Sequence, residues 1–466
     1  MLIPLFIGWL LLLSVASYTL RSTCLVRRLS AIGALVSFGL SLAIVWFTPP
    51  APLIATLLIL VALVYLAATL VSQRYMTLEE SRNILSDKDV RRYFALQHLF
   101  MLTLIGALLA DHVGMLWIAL EGPTLATTLL VSLYRKEGAV EAAWKYIVLC
   151  SIGISLGLMG ILLFVHAAMQ GGLSPEEALS LTTLLEHARD LNPETLKWAV
   201  VFVFIGLGTK VGFVPMHPWL PDAHSKTPSP ISAMLSGVLL NVALVTILRF
   251  RPIVDVALGN DTWTSGFFLT FGVISVTFAA LIILQSKNYK RTLAYSSIEH
   301  MGLIAFFLGL GPLGLVPAVV HMIGHTLAKS LLFFESGEIL LAFHTTKTDG
   351  VRELLKRLPK TSVMLMLGLL LLLAVPPSPL FFSEVIGLGL GMQSHPVLTV
   401  IILLSLTLVA YGMLRSGLQM NAPTAGEVPE HAPMLPKRER FHLTHAVALC
   451  EILLLIGVGA LTMILL

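Results

Sequence analysis

Apolar stretches long enough to cross a lipid bilayer recur along the whole of this sequence. Each contains about 20 mainly apolar residues, the length that a helix needs to span the hydrocarbon core. The 466 residues are 56% hydrophobic and only 12% charged, which excludes an ordinary water-soluble protein. The sequence therefore predicts an all-α polytopic membrane protein that forms a single integral membrane domain. Its fourteen predicted transmembrane helices lie at 2–20, 29–47, 51–72, 94–110, 113–134, 144–168, 197–216, 229–249, 265–285, 293–311, 314–343, 361–392, 396–415 and 443–466.

Lys and Arg residues divide unevenly between the predicted connections. If the first helix enters the membrane from outside, the cytoplasmic connections hold 24 of the 30 Lys and Arg residues. Only Arg189, Lys197, Arg249 and Arg251 then lie on the outer side. Because cytoplasmic loops are enriched in Lys and Arg, both termini are predicted to lie outside. The net charge of +4 thus reflects membrane topology and does not indicate nucleic-acid binding.

The sequence lacks the signatures of redox-cofactor and nucleotide sites. Cys24, Cys150 and Cys450 are far apart and form no C-x-x-C pair, which argues against an iron–sulfur cluster, a zinc site or a disulfide framework. The chain also has no glycine-rich dinucleotide fingerprint and no Walker A motif. We therefore expect no cofactor in this chain.

Two predicted helices are interrupted by prolines beside an ionisable residue. In TKVGFVPMHPWLPDAH, Pro215 follows Lys210 by five residues, and in LAVPPSPLFFSEV three prolines precede Glu384. Proline removes a backbone donor, and irregular backbone at membrane depth is tolerated only where protein or a wet cavity covers it. Such breaks are typical of inverted-repeat transporters, whose ion path runs through them. The alternative is a packing kink with a charge nearby by chance.

The segment HMIGHTLAKSLLFFESGEIL carries an unusual polar stripe through an apolar helix. His321, His325 and Lys329 are spaced four residues apart, so each advances about 40° around the helix and the three share one face. Imidazole titrates near neutral pH, and such a stripe with water can pass protons. A structural hydrogen-bond cluster and a metal site with His at this spacing are the alternatives. Glu335 and Glu338 are expected near the lipid headgroups.

Three further ionisable residues are candidates for a proton path. Glu121 lies well inside the fifth predicted helix, where a lone carboxylate would be costly unless it faced a cation such as Lys210. Making or breaking that pair would change how tightly the lysine holds its proton, although a static ion pair is the alternative. Glu384 follows the second break and could take up or release protons. His300, beside Glu299, is either a residue through which protons enter or part of an interfacial polar pair.

Several motifs in order along 90–420 resemble the antiporter-like membrane subunits of respiratory complex I and its relatives. They are LEGPT, EAAWKY, GTKVGFVPMHPWLPDAH, YKRTLAYSSIEHMGLI, HMIGHTLAKSLLF and PPSPLFFSE. Within that family, LSGVLLN, AYSSIEHMGL and HTLAKSLLF are most similar to the hydrogenase-4 component F branch of the group 4 membrane-bound hydrogenases and formate hydrogenlyases.

The resemblance implies a specific architecture and proton path. Three N-terminal helices (1–93) would precede two five-helix units related by inverted symmetry (94–250 and 265–418), with a final helix at 443–466 and with helices 7 and 12 broken. Asn241 stands where many family members place Lys or His on the eighth helix, and an amide can hydrogen-bond water but cannot hold the proton. The implied path comprises Glu121, Lys210, Asn241, His300, His321, His325, Lys329 and Glu384.

The resemblance also implies a setting and partners. The chain would lie in a bacterial or archaeal cytoplasmic membrane, beside other hydrophobic subunits. Electron transfer at NiFe and iron–sulfur centres in peripheral hydrogenase subunits would drive proton translocation. The alternatives are a subunit of a cation/proton antiporter, a subunit of an inorganic-carbon uptake complex, and a structural scaffold that conducts nothing.

Overall fold

The computed structural model describes residues 2–423 and 439–465, and helices dominate both parts. Eleven helices in these parts are long and apolar enough to cross a membrane. The prediction of fourteen spans counts each interrupted helix once and includes shorter helices, and it stays a prediction. The segment NAPTAGEVPEHAPMLPKRER, from Asn421, is rich in Pro and charge and is predicted from its sequence to be a surface loop, and most of it lies outside the described residues. The helices are α1 Leu2–Thr19, α2 Thr23–Phe47, α3 Pro52–Ser81, α4 Asp87–Leu109, α5 Val113–Val131, α6 Glu137–Gln170, α7 Pro193–Val211, α8 Trp219–Lys226, α9 Ser229–Leu258, α10 Thr262–Gln285, α11 Tyr289–Gly309, α12 Leu315–Phe343, α13 Pro359–Leu372, α14 Pro379–Ser394, α15 Pro396–Asn421 and α16 Leu443–Leu465.

The predicted polar connection at 73–93 is wrong over most of its length. Helix α3 continues to Ser81, and α4 already begins at Asp87. Ser86 forms a capping box with Asp89, in which each side chain bonds the backbone N–H of the other. Because this box satisfies two N–H groups that have no partner within the helix, the polar sequence here starts a helix rather than a loop.

The first predicted break lies between α7 and α8. Helix α7 ends at Val211, and Gly212 follows with a φ of 87°, which favours glycine. The N–H groups of Gly212 and Phe213 bond the carbonyls of Thr209 and Gly208, a Schellman arrangement. The indole Nε1 of Trp219 also donates to the Thr209 carbonyl, at 2.8 Å. The carbonyl groups at the end of α7 thus have hydrogen-bond partners within the protein. Lys210 lies in the last turn of this helix.

The second break separates α13 from α14. Helix α13 ends at Leu372, and Ala374 has a φ of 56°. The Ser378 hydroxyl donates to the Leu371 carbonyl at 2.7 Å and accepts from the N–H of Leu380 at 3.2 Å. The serine therefore bridges the two half-helices. Each interrupted helix is the fourth in its predicted five-helix unit.

The centre of the bundle is formed by α9 and α12. In the most apolar 18-residue stretch of α9, 94% of the residues are buried inside the protein. The corresponding share in α1 is 22%, because α1 lies at the periphery of the bundle. Helix α9 contains a π-helical turn at Leu235–Leu239, directly before Asn241. Such turns often occur at functional sites. Asn241 on α9 and the stripe His321, His325 and Lys329 on α12 thus lie where lipid cannot reach them.

Candidate functional site

Lys210 lies in the last turn of α7 and faces Glu121 on α5. The lysine side chain is 2% exposed, and its Nζ atom lies 3.4 Å from Oε2 of Glu121. Nζ also hydrogen-bonds the Thr124 hydroxyl, one turn further along α5. On the other side of the carboxylate, the Ser151 hydroxyl of α6 donates to Oε1 at 3.1 Å. The carboxylate of Glu121 thus lies at a long ion-pair distance from the buried lysine, and a hydroxyl group of α6 holds this carboxylate in place.

Lys329 is buried in the middle of α12 and has different partners. Its Nζ atom donates to the carbonyl of Leu293 at 2.9 Å and bonds the Ser296 hydroxyl, both on α11. These neutral acceptors are its only hydrogen-bond partners among the described residues. The two buried lysines therefore differ, because Lys210 has a carboxylate partner and Lys329 has none within hydrogen-bond distance.

His300 and His321 form a hydrogen-bonded pair between α11 and α12. Nδ1 of His300 lies 2.9 Å from Nε2 of His321, and Nδ1 of His321 lies 2.9 Å from the Ser383 hydroxyl on α14. His300 is in the middle of α11 and 3% exposed, so the alternative of an interfacial polar pair is wrong. The pair connects the stripe of α12 to the broken helix.

The carboxylates of Glu299 and Glu384 lie at this end of the stripe. Oε2 of Glu299 is 3.4 Å from Nε2 of His300 without hydrogen-bond geometry, and Glu299 is 1% exposed. Glu299 is also close enough to Glu384 and to Lys329 to interact with them electrostatically. His325 is buried with neither ring nitrogen bonded to a described residue, and its ring centroid lies 5.3 Å from that of His300.

Asn241 bonds directly to the helix that carries the stripe. Its Nδ2 atom donates to the Gly237 carbonyl at 3.0 Å and to the Thr326 hydroxyl of α12 at 2.9 Å. The amide oxygen is buried and has no partner among the described residues. The amide thus links α9 to α12 and retains one free acceptor.

The structure does not join Lys210 to Lys329 through described side chains alone. His224 on α8 is buried with both ring nitrogens unbonded, and it lies close enough to Lys329 and Lys290 to interact electrostatically. Lys290 was assigned to a cytoplasmic connection, but it is fully buried and donates to the Thr227 carbonyl at 2.8 Å. Sequence reasoning missed His224 and Lys290. The signals in the sequence were the position of His224 just after the first break and the position of Lys290 just before the predicted helix at 293–311.

The expectation for Glu335 and Glu338 at the lipid headgroups is wrong. Glu335 is fully buried, and neither of its oxygens bonds a described residue. Glu338 is 8% exposed, pairs with Arg74 of α3 and accepts from the Thr444 hydroxyl of α16 at 2.7 Å. Helix α16 covers this face of α12, which an analysis of single helices could not show.

The stripe does not resemble a metal centre. Both ring nitrogens of His321 already have partners. Among residues 2–423 and 439–465, no group of three His, Cys, Asp or Glu side chains is placed to hold a metal ion. The arrangement is instead a series of buried groups that can bind or release a proton, with hydroxyls and one amide between them.

Residues 110–410 match the family described as NADH:quinone oxidoreductase/Mrp antiporter, TM. This match covers more than half of the chain. The chain belongs to this family. A hydrogenase-4 component F homolog of Methylacidiphilum infernorum is 34% identical to this antiporter-family chain over 452 residues, which cover 95% of the chain and 94% of the relative.

Solved structures agree with this family member on the fold. A chain of the archaeal membrane-bound sulfane sulfur reductase, a respiratory membrane complex, is 24% identical with a TM-score of 0.83, over 98% of this chain and 94% of that one. A chain of the Mrp complex from a Dietzia species is 18% identical with a TM-score of 0.82, over 99% and 95%. These likenesses establish the fold of a polytopic antiporter-like subunit.

Proposed function

We propose that this chain is the proton-translocating membrane subunit of a redox-driven complex linked to a hydrogenase. The arrangement that carries the proposal is a series of ionisable groups from Glu121 to Glu384, partly exposed at these two ends and buried between them. Within it, Lys210 has a carboxylate partner, whereas Lys329 has none among the described residues. Intramembrane ionisable groups are expensive to bury and usually serve function. The hydrogenase-4 component F homolog supports the choice of complex, because it matches over nearly the full length of both chains.

Proton movement in this proposal starts at the Lys210–Glu121 pair. A redox step in a partner subunit alters the separation of the pair and hence the free energy of the proton on Lys210. Moving one charge against about 100 mV requires about 2.3 kcal/mol. A change of a few ångströms in the distance between two partly buried charges is sufficient for such an energy. The proton then passes through water and polar groups towards Lys329, His300, His321 and Glu384.

The partners in this proposal are other hydrophobic subunits and peripheral subunits that carry NiFe and iron–sulfur centres. The membrane is the cytoplasmic membrane of a bacterium or archaeon, with both termini outside. The side-chain contacts support one common face for the predicted cytoplasmic ends, because Arg82 at the end of α3 donates to the Leu341 carbonyl near the end of α12 at 2.8 Å. Arg27 in the first turns of α2 pairs with Glu80 at the same end of α3.

The first experiment is gentle extraction of the chain from native membranes, followed by mass spectrometry of the proteins that co-purify. Nickel–iron and iron–sulfur subunits are expected. Inside-out membrane vesicles are then given dithionite-reduced methyl viologen, and proton uptake is followed with a pH-sensitive dye. Lys210→Ala should abolish uptake in an assembled complex, whereas Lys197→Ala, an exposed lysine on the same helix that pairs with Glu194, should not. Wild-type uptake by Lys210→Ala would refute the mechanism.

A second candidate is a subunit of a cation/proton antiporter, which the family description itself includes. Such a complex would exchange sodium for protons without an electron donor. Only other hydrophobic antiporter-like chains would then co-purify. Sodium-driven pH change in vesicles without methyl viologen would select this function over the redox-driven one.

A further inference from the structure

A second group of buried ionisable side chains lies between α12 and α16, apart from the series that runs from Glu121 to Glu384. We infer that Glu335 and Glu451 form a proton-exchange site that connects Lys329 with the protein surface near Glu439 and His442. The inference rests on the proposed function, because it gives the route by which Lys329 exchanges protons with the cytoplasmic side.

The inner end of this route is at Ser330, about 100° around α12 from Lys329. Ser330 follows Lys329 in the chain, and its hydroxyl donates to Oε1 of Glu451 on α16 at 2.6 Å. The second oxygen of Glu451 is buried and has no partner among the described residues. Glu451 is 4% exposed. The carboxyl group of α16 thus reaches the turn of α12 that carries the buried lysine, with one oxygen left free to bind a proton.

Glu335 continues the route along α12. It lies six residues after Lys329, which places it about 9 Å further along the helix axis. It is fully buried, and neither oxygen has a partner among the described residues. Glu338, Glu439 and Glu451 are close enough to act on it electrostatically, and the Thr361 hydroxyl, which donates to Glu439, is also near it. A buried carboxyl group without a partner adds nothing to stability and is expensive to keep, which points to a function.

Groups from every neighbouring element converge on this site. Thr361 of α13 donates from its hydroxyl to Glu439 at 2.8 Å and lies 3.1 Å from Nε2 of His445. The rings of His442 and His445 stack with centroids 3.9 Å apart. Among the described residues, the titratable and charged groups at this end are Glu338 on α12, Arg74 and Tyr75 on α3, Tyr289 on α11, Lys360 on α13, His445 and Glu451 on α16, and Glu439 and His442 before α16.

The outer end of the route consists of Glu439 and His442, whose pKa values both lie below their ordinary range. Burial acts to raise the pKa of Glu439, but hydrogen bonds from His445, Thr361 and the Lys360 backbone outweigh it, and the pKa lies below its usual range. Burial lowers the pKa of His442 to about 4. Glu439 is therefore an anion and His442 a neutral base at pH 7. The His442 side chain is 18% exposed, so this base is accessible from water.

A stability role would require these acids to be paired. Glu338 fits that description, because Arg74 and Thr444 satisfy its two oxygens. Neither oxygen of Glu335 has a partner among the described residues, and only one oxygen of Glu451 has one. The contrast separates one structural carboxylate, Glu338, from two carboxyl groups, Glu335 on α12 and Glu451 on α16, that remain available for protons.

The test uses inside-out vesicles of the assembled complex with dithionite-reduced methyl viologen as donor. Glu335→Gln and Glu451→Gln keep the side-chain volume and remove the proton site. Each should lower proton uptake about a hundredfold, the lower end of what loss of a positioned proton-transfer group causes. The defect should deepen as the pH on the Glu439 side is raised, and Glu335→Asp should restore part of the rate. Glu137→Gln, which removes an exposed carboxylate at the start of α6, is the matched control.

The outcomes separate this inference from the proposed function. Wild-type uptake in both glutamine variants, together with loss in Lys210→Ala, overturns the route and leaves the proposed function standing. Uptake that survives in all three overturns the proposed function. A defect that is equal at all pH values, or that Glu335→Asp does not relieve, indicates a packing role and overturns the route as well. If Glu335→Gln fails to assemble, Glu451→Gln decides.

Discussion

Nδ1 of His300 lies 2.9 Å from Nε2 of His321, so one N–H proton lies between these two nitrogen atoms and forms a hydrogen bond. One ring must donate and the other must accept. The Ser383 hydroxyl donates to the Leu380 carbonyl at 2.8 Å and lies 2.9 Å from Nδ1 of His321. If the hydroxyl keeps that bond, His321 donates to Ser383 and accepts from His300. Both bonds reverse when a proton enters at Nε2 of His300, the Nδ1 proton of His300 moves to His321, the Nδ1 proton of His321 moves to the Ser383 hydroxyl, and that hydroxyl releases its own proton to water. The pair therefore has two orientations.

We expect Ser383→Ala to slow proton translocation several-fold, because it removes the group that sets the orientation of the His300–His321 pair. His321→Leu should be more severe, since it leaves Nδ1 of His300 buried without a partner at about 1–3 kcal/mol. Proton uptake in donor-driven vesicles measures both. Ser394→Ala, an exposed position on α14 whose hydroxyl bonds only its own helix, is the control. Equal rates in Ser383→Ala and wild type would show that the hydroxyl sets nothing.

The amide of Asn241 is expected to connect the two halves of the proton path. Asn241→Leu removes the amide that bonds Thr326 and the free acceptor beside it, so uptake should fall sharply while the complex assembles. Asn241→His should retain or raise the rate, because an imidazole holds a proton where the amide only orients water. Thr246→Val is the matched control, since this hydroxyl bonds only the Val242 carbonyl of its own helix. An unaltered rate in Asn241→Leu would place the connection elsewhere, with His224 the next residue to test.

The crossing of α6 and α7 predicts a stability effect. A Cβ atom on Gly206 would collide with the Gly157 backbone and lie 2.6 Å from the Gly153 carbonyl. Helices in membranes approach this closely only through small residues. Gly206→Ala should therefore cost about 1–3 kcal/mol and shift Lys210, which lies one turn further along α7. Thermal unfolding of the purified complex measures it. Gly266→Ala, which has open space around it in α10, should not lower the unfolding temperature, because Ala favours a helix more than Gly does.

Much of the candidate site followed from the sequence because its residues break a local rule. A lysine or histidine in an apolar stretch of about 20 residues is conspicuous without any structure. The breaks after Lys210 and before Glu384 were likewise visible as prolines. Lys290 and Glu335 were misplaced for the opposite reason, since charges near the predicted end of an apolar stretch resemble ordinary loop and headgroup residues. Whether such a residue reaches water depends on which helix packs over it.

The sequence by itself determined that this chain crosses a membrane many times, that two of its helices are interrupted, and that His321, His325 and Lys329 share one helix face. These properties depend on hydropathy, backbone donors and helical period, all of which act over a few turns. Only the tertiary structure decided which side chains meet. Glu121 faces Lys210 across 89 positions of sequence, and Ser330 meets Glu451 across 121. Such contacts arise from how the helices pack against one another, and no property of an isolated segment specifies them.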